Sequence, residues 1–246
     1  YIGESLLLYG EFSRDETNDL VAMVDDKSVV LDVGANIGCL TLPLAKKAAK
    51  VYAFEPQRLP FQMLCANLAM NNIENVVALP HAVGAAPDRI RIEPIKWEGV
   101  FNSGGTPLAA SVKGDLTDII TIDSLELERC DLIKVDVEGQ EIDVLTGAEK
   151  TIRDFRPILF VEADRERFTP LLIELLKKYG YQPYWHITPL YSPQNHQGNQ
   201  FNKWEGTVSI NMLCIPHGRT VPFEISQVVE AIDGDTFTKL KQRMRE

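Results

Sequence analysis

The feature that most constrains the fold is a glycine-containing loop that directly follows a short apolar run. Val29–Val33 is rich in valine and leucine, and Gly34 and Gly38 lie in the loop behind it. A short apolar run that ends in such a loop is typical of a buried parallel strand. Residues 41–49 then favour a helix, so this segment predicts a strand, a loop and a helix in succession.

The same alternation continues along the chain and predicts an α/β fold, a parallel sheet with helices on both faces. A final pair of strands, at residues 181–187 and 207–215, is separated by a polar loop. We predict a single domain with a lead-in at residues 1–28, a catalytic core at 29–216 and a helical tail at 217–246. Further core strands are predicted at residues 51–54, 76–79, 132–136 and 158–162.

Composition limits the classes of partner. Hydrophobic residues make up 45% of the 246 residues, which suits a large core, but no apolar run approaches the length of a membrane span. The net charge of −10 disfavours a nucleic acid partner, because a polyanion would be repelled. The cysteines are far apart and lack metal-site spacing, so we expect reduced thiols in a cytoplasmic protein: Cys39, Cys65, Cys130 and Cys214.

Five predicted core strands end at or near a polar residue. Ligands of open α/β sheets bind beyond the carboxyl ends of the strands, so these side chains are expected to converge on one site. They are Asp32, Glu55, His81, Asp136 and Glu162.

The chemistry of the glycine loop favours one cofactor. The spacing from Asp32 to Gly38 is DxGxNxG, not the GxGxxG of dinucleotide sites, whose backbone amides bind a pyrophosphate. S-adenosylmethionine has no phosphate and carries an ammonium and a sulfonium, which an Asp and an Asn suit better. A tight turn without a ligand is the alternative.

Glu55 follows the second strand and can accept hydrogen bonds from both hydroxyls of an adenosine ribose. A charge at the start of the next helix is the alternative explanation for this carboxylate. His81 lies where an adenine edge is expected, although a surface-loop histidine would have the same sequence position.

Asp136 and Glu138 follow the fourth core strand, where alternate residues can both face the cleft. We expect Asp136 to act as the general base and Glu138 to be the second candidate. Mg²⁺ held by the pair is an alternative that we do not favour, and we predict no metal. Glu138 and Glu141 could instead stabilise the start of the following helix.

These motifs together resemble the FkbM family of S-adenosylmethionine-dependent methyltransferases, over residues 29–216. The resemblance rests on VLDVGANIG, VYAFEP, HAVG, NSGG, LIKVDVEGQE and FVEAD. It implies a Rossmann-like class I methyltransferase fold, whose seven-stranded sheet has an antiparallel last strand. It also implies cofactor contacts at Gly34, Asn36, Gly38 and Glu55. Within the same motifs we predict further cofactor contacts at Asp32, Ala35, Pro56, His81, Ala82, Asn102, Ser103 and Asp136.

The resemblance implies O-methylation of a hydroxyl on a sugar or another small natural product. An N- or protein methyltransferase with the same cofactor is an alternative, as is a non-catalytic module that binds it. An NAD-dependent oxidoreductase is a further rival, which the missing GxGxxG disfavours.

Overall fold

A computed structural model of the chain describes residues 1–93, 114–219 and 228–243. Its strands are β1 Val29–Val33, β2 Lys50–Phe54, β3 Val76–Leu79, β4 Ala82–Val83, β5 Asp88–Ile92, β6 Asp115–Ile120, β7 Leu132–Val135, β8 Ile158–Glu162, β9 Tyr181–Pro189, β10 Val208–Pro216 and β11 Val228–Glu230. Its α-helices are α1 Ile2–Tyr9, α2 Arg14–Ala22, α3 Thr41–Ala45, α4 Arg58–Met70, α5 Glu141–Thr146, α6 Glu149–Phe155, α7 Thr169–Lys178 and α8 Phe237–Arg243.

The main sheet has the strand order β11-β9-β10-β8-β7-β1-β2-β3. Strands β8, β7, β1, β2 and β3 are parallel, and β10 is antiparallel to both of its neighbours. The predicted α/β class and the antiparallel strand are thereby confirmed. A second, three-stranded sheet has the order β4-β6-β5.

The segment predicted as a helical tail contains a strand as well as a helix. Helix α8 is present, but Val228–Glu230 forms β11, an eighth strand that pairs with β9 at the edge of the sheet. Three residues are too few for a period to be recognised in the sequence. Their pairing depends on an edge of β9 that becomes available only in the folded chain.

Two helix boundaries also differ from the prediction. The helix expected at residues 41–49 ends at Ala45, and the helix expected after Asp136 is divided into α5 and α6. At the division, a Cβ on Gly147 would lie 2.1 Å from the carbonyl oxygen of Gly84. The close approach of these two backbones requires a glycine there.

The lead-in forms two helices that pack on the sheet. Leu20 of α2 is fully buried in a core cluster with Leu132 and Phe160, on one face of the strands. His186 Nε2 on β9 lies 2.8 Å from Asp19 Oδ2, which attaches α2 to the sheet. In the ranges given above, no helix is both long and apolar enough to cross a bilayer.

Candidate active site

A cavity of about 420 Å³ opens at the carboxyl ends of β1, β2, β7 and β8. Its volume falls within the range of small-molecule sites. Helices α1 and α2 and strand β10 complete its wall. Six of the predicted site residues line it together: Gly34, Asn36, Glu55, Pro56, Asp136 and Glu138.

The glycine loop is tightly packed against the next strand of the sheet. Gly34 has a φ of +82°, and a Cβ at this position would lie 1.8 Å from the carbonyl oxygen of Asp136. The amides of Gly34 and Ala35 donate to the carbonyl oxygen of Phe54 at 3.0 and 2.9 Å. The packing of the chain itself therefore already requires glycine at position 34, before any ligand is considered.

Glu55 is almost completely buried at the end of β2. Its Oε2 accepts the amide of Asn36 at 2.9 Å, and its Oε1 accepts the amide of Gln57 at 2.8 Å. Burial raises the pKa of Glu55 to about 7, although both amides favour the ionised form. The side chain thus joins the glycine loop to the start of α4. The alternative explanation of Glu55, as a charge at the start of the next helix, therefore holds in part. Each oxygen keeps a lone pair for a ligand.

Asp32 lies beneath the cavity and does not line it. It is fully buried, and the Thr41 hydroxyl donates to its Oδ2 at 2.6 Å. Lys134 Nζ lies 3.1 Å from Asp32 Oδ1 and 3.6 Å from Asp136 Oδ2. The same ammonium donates to the carbonyl oxygen of Gly34 at 3.0 Å. In this arrangement Asp32 holds Lys134, and Lys134 holds the glycine loop.

The two catalytic candidates lie in a group of carboxylates. Asp136, Glu138 and Glu162 each offer an oxygen within 4.8 Å of the others. Glu138 has a φ of +60°, and Arg165 Nη2 donates to its Oε2. Burial and the charge of Asp136 raise the pKa of Glu138 to about 7. Three oxygen ligands of this kind would suit Mg²⁺, and the prediction of no metal remains a prediction.

Glu162, which the sequence analysis placed with the other strand-end residues but not among the catalytic or cofactor candidates, also lines the cavity. Burial and the nearby charges of Asp136 and Asp164 raise its pKa. Its Oε2 is buried and has no hydrogen-bond partner in the described part of the chain.

The residues that line the cavity without having been predicted include the polar side chains of Arg165, Glu16, Ser209 and Asp164. Lys134, behind the cavity wall, was also not predicted, although a lysine within an otherwise apolar strand is a signal that could have identified it.

The other predicted cofactor residues lie elsewhere. Ala35 is buried, and Gly38 lines a second cavity, of about 430 Å³, bounded also by Ile37 and Cys39. His81 and Ala82 line neither of these two cavities. Asn102 and Ser103 lie outside the described residues. The roles of these residues remain predictions.

Glu141 fits the alternative in which it stabilises the start of the helix that follows Asp136. Its Oε1 accepts the amide of Gly139 at 2.8 Å at the start of α5.

The four cysteines are free thiols. Burial raises the pKa of the Cys39 thiol to about 12, and it also raises the pKa of Cys130 and Cys214. None of these three is therefore suited to act as a thiolate nucleophile.

The fold and the site define a methyltransferase domain of the S-adenosylmethionine-dependent class. The model of the FkbM methyltransferase domain matches residues 32–183, and the chain belongs to this family.

Two curated relatives are each 29% identical to the chain. The methyltransferase sdnD of Sordaria araneosa matches 60% of the chain and 70% of its own length. The hexuronic acid methyltransferase AglP of Haloferax volcanii matches 57% of the chain and 58% of its own length. A solved FkbM methyltransferase from Methylobacillus flagellatus has a TM-score of 0.53 at 19% identity. That match covers 79% of this chain and 47% of the solved one, and at this identity it supports the fold alone.

Proposed function

We propose that the chain transfers the methyl group of S-adenosylmethionine to a hydroxyl of a sugar or another small natural product. The observation that carries the proposal is the single cavity at which the glycine loop, Glu55 and the pair Asp136 and Glu138 meet. The name of AglP, a hexuronic acid methyltransferase, supports a sugar-like acceptor.

The cofactor half of the cavity is formed by Gly34, Asn36 and Glu55. The bound cofactor supplies an electrophilic methyl group and a net positive charge. The free lone pairs of Glu55 would accept the ribose hydroxyls. Asp136 is the carboxylate that would face the positively charged end of the cofactor. The Lys134 contact to Gly34 keeps the loop in place during binding.

In the reaction the acceptor oxygen forms a bond to the methyl carbon while the bond from that carbon to sulfur breaks. The chain contributes by aligning the acceptor and by excluding water. Asp136 takes the proton of the hydroxyl, with Glu138 as the second candidate. General base catalysis of this kind is worth about 10²–10⁴-fold.

The charge of the cavity bears on the class of partner, and the cysteines bear on the cellular location. A cavity with this many carboxylates, in a chain of net charge −10, disfavours nucleic acid. The free thiols support a cytoplasmic location.

Calorimetry with S-adenosylhomocysteine, S-adenosylmethionine and NAD tests the cofactor. We expect the first two to bind and Glu55→Gln to weaken both by about tenfold or more, since hydrogen bonds to a charged group are lost. Binding of NAD alone would refute the proposal. A screen for release of S-adenosylhomocysteine over sugars and hydroxylated natural products then separates an enzyme from a binding module, which binds without turnover.

A further inference from the structure

Helix α2 contributes a carboxylate to the cavity from outside the residues that the family model matches. Glu16 has 5% of its surface exposed and lines the cavity. The Ser13 hydroxyl donates to its Oε2 at 3.0 Å, and the Ser209 hydroxyl also bonds this carboxylate. The matched region begins at residue 32, so Glu16 lies outside the part of the chain that matches the family domain.

A band of polar residues on the sheet fixes the position of Glu16. Asn211 of β10 pairs with Glu162 of β8 on one side and with His186 of β9 on the other. The contact of His186 with Asp19 holds α2 across this band. Glu16 lies about one helical turn before Asp19, on the side of the cavity.

The charges around the cavity do not balance. Arg165 is the one cationic side chain among the described residues that line it. This arginine bonds Glu138 and lies 3.2 Å from Asp164, while Lys134 behind the wall is held by Asp32 and Asp136. The lining carboxylates are Glu16, Glu55, Asp136, Glu138, Glu162 and Asp164.

Glu16 and Glu162 therefore have no ion pair with a lysine or arginine in the described part of the chain. Burial raises the pKa of both, and the pKa of Glu162 rises further because of its acidic neighbours. A ligand with a protonated amine would supply the missing charge and donate charge-assisted hydrogen bonds. An acidic ligand would meet repulsion instead.

We propose that Glu16 and Glu162 bind the methyl acceptor, and that they select a hydroxylated acceptor that carries a protonated amine. This inference rests on the proposed function and narrows its substrate class. It also separates this chain from AglP, whose name specifies a hexuronic acid and hence an anionic acceptor.

Three pyranoses of similar size and different charge test the selection. Glucosamine, methyl glucoside and glucuronic acid are compared by release of S-adenosylhomocysteine, and as ligands that raise the melting temperature of the S-adenosylhomocysteine complex. We expect glucosamine to exceed methyl glucoside by about tenfold in kcat/KM or affinity, as one charged hydrogen bond implies. Glucuronic acid should neither cause release of S-adenosylhomocysteine nor raise the melting temperature of the complex. The methyl group should appear on oxygen in the NMR spectrum of the product.

Two variants test the residues. Glu16→Gln and Glu162→Gln should each raise the KM, or the dissociation constant, for glucosamine by about tenfold. The affinity for S-adenosylhomocysteine should stay unchanged, which separates acceptor binding from a structural defect. Asp15→Asn removes a charge from the same helix, outside the cavity lining, and is the matched control.

Equal responses to the three sugars, a preference for glucuronic acid, or methylation on nitrogen would overturn the inference. A strict requirement for Mg²⁺ would do the same, since the ion would then neutralise these carboxylates. Methylation on nitrogen would also contradict the proposed transfer to a hydroxyl, whereas the other results leave the proposed function standing. Failure of the wild type to bind S-adenosylhomocysteine would instead refute the proposed function.

Discussion

Lys134 Nζ lies 3.1 Å from Asp32 Oδ1 on the neighbouring strand and 3.0 Å from the carbonyl oxygen of Gly34. Both charged side chains are buried. The neighbouring carboxylates Asp32 and Asp136 outweigh burial and raise the pKa of Lys134. The ammonium thus stays charged, and the cavity floor depends on it.

Lys134→Met is expected to lower the free energy of unfolding by about 3–5 kcal/mol, because it leaves the Asp32 carboxylate buried without a counter-charge. Urea unfolding measures the loss. The double variant Lys134→Met with Asp32→Asn should recover part of it, since the uncompensated charge is gone. A double variant that is less stable than Lys134→Met would contradict this account.

Gly34→Ala should destabilise the chain more than Gly218→Ala. Both glycines have similar left-handed φ values, +82° and +80°, so the strain of about 1–2 kcal/mol is common to both changes. A new Cβ at Gly218 would meet nothing within 4 Å, whereas at Gly34 it would collide with the Asp136 carbonyl oxygen. Thermal unfolding of the two variants gives the comparison. Equal losses would mean that the glycine loop can move away from β7.

The stability of the protein should fall as the pH rises from about 4.5 to about 7, in part because of Glu55. Its pKa is about 7 in the folded chain against an ordinary value of 4.5, so the folded state holds a proton that the unfolded state releases. Glu55→Gln should remove about 1–3 kcal/mol of this fall. Urea titrations across the pH range measure it, with the exposed Glu74→Gln as control. An unaltered pH profile in Glu55→Gln would exclude this carboxyl as the titrating group.

Asp136→Asn should lower kcat by about 10²-fold or more, while the affinity for S-adenosylhomocysteine falls by a much smaller factor. Glu138→Gln should cost less, because the Glu138 carboxylate is bonded to Arg165. The check is to measure single-turnover rates of the two variants and of the wild type from pH 5 to 9. The roles would be exchanged if Glu138→Gln were the inactive variant and the wild-type rate rose through pH 7, near the pKa of Glu138.

The strands of the core could be predicted because their pattern is local. Val29–Val33 and Leu132–Val135 are short apolar runs, and a strand buried on both faces needs no other signal. Since parallel strands end at one edge, the acidic residues behind them had to meet there. The motifs around Gly34, Glu55 and Asp136 were therefore sufficient for the fold, the family and the part of the cavity that we propose binds the cofactor.

The part of the cavity that we propose binds the acceptor was decided only by the tertiary structure. Helix α2 reaches the cavity because Asp19 meets His186, a contact between residues 167 positions apart, and no periodicity in either segment encodes that pairing. The same docking moves Glu16 into the wall, while the pairing of β7 with β1 turns Asp32 away from the cavity and towards Lys134. A sequence pattern reports which face of an element is buried. The partner of a buried charge depends on which distant element covers that face.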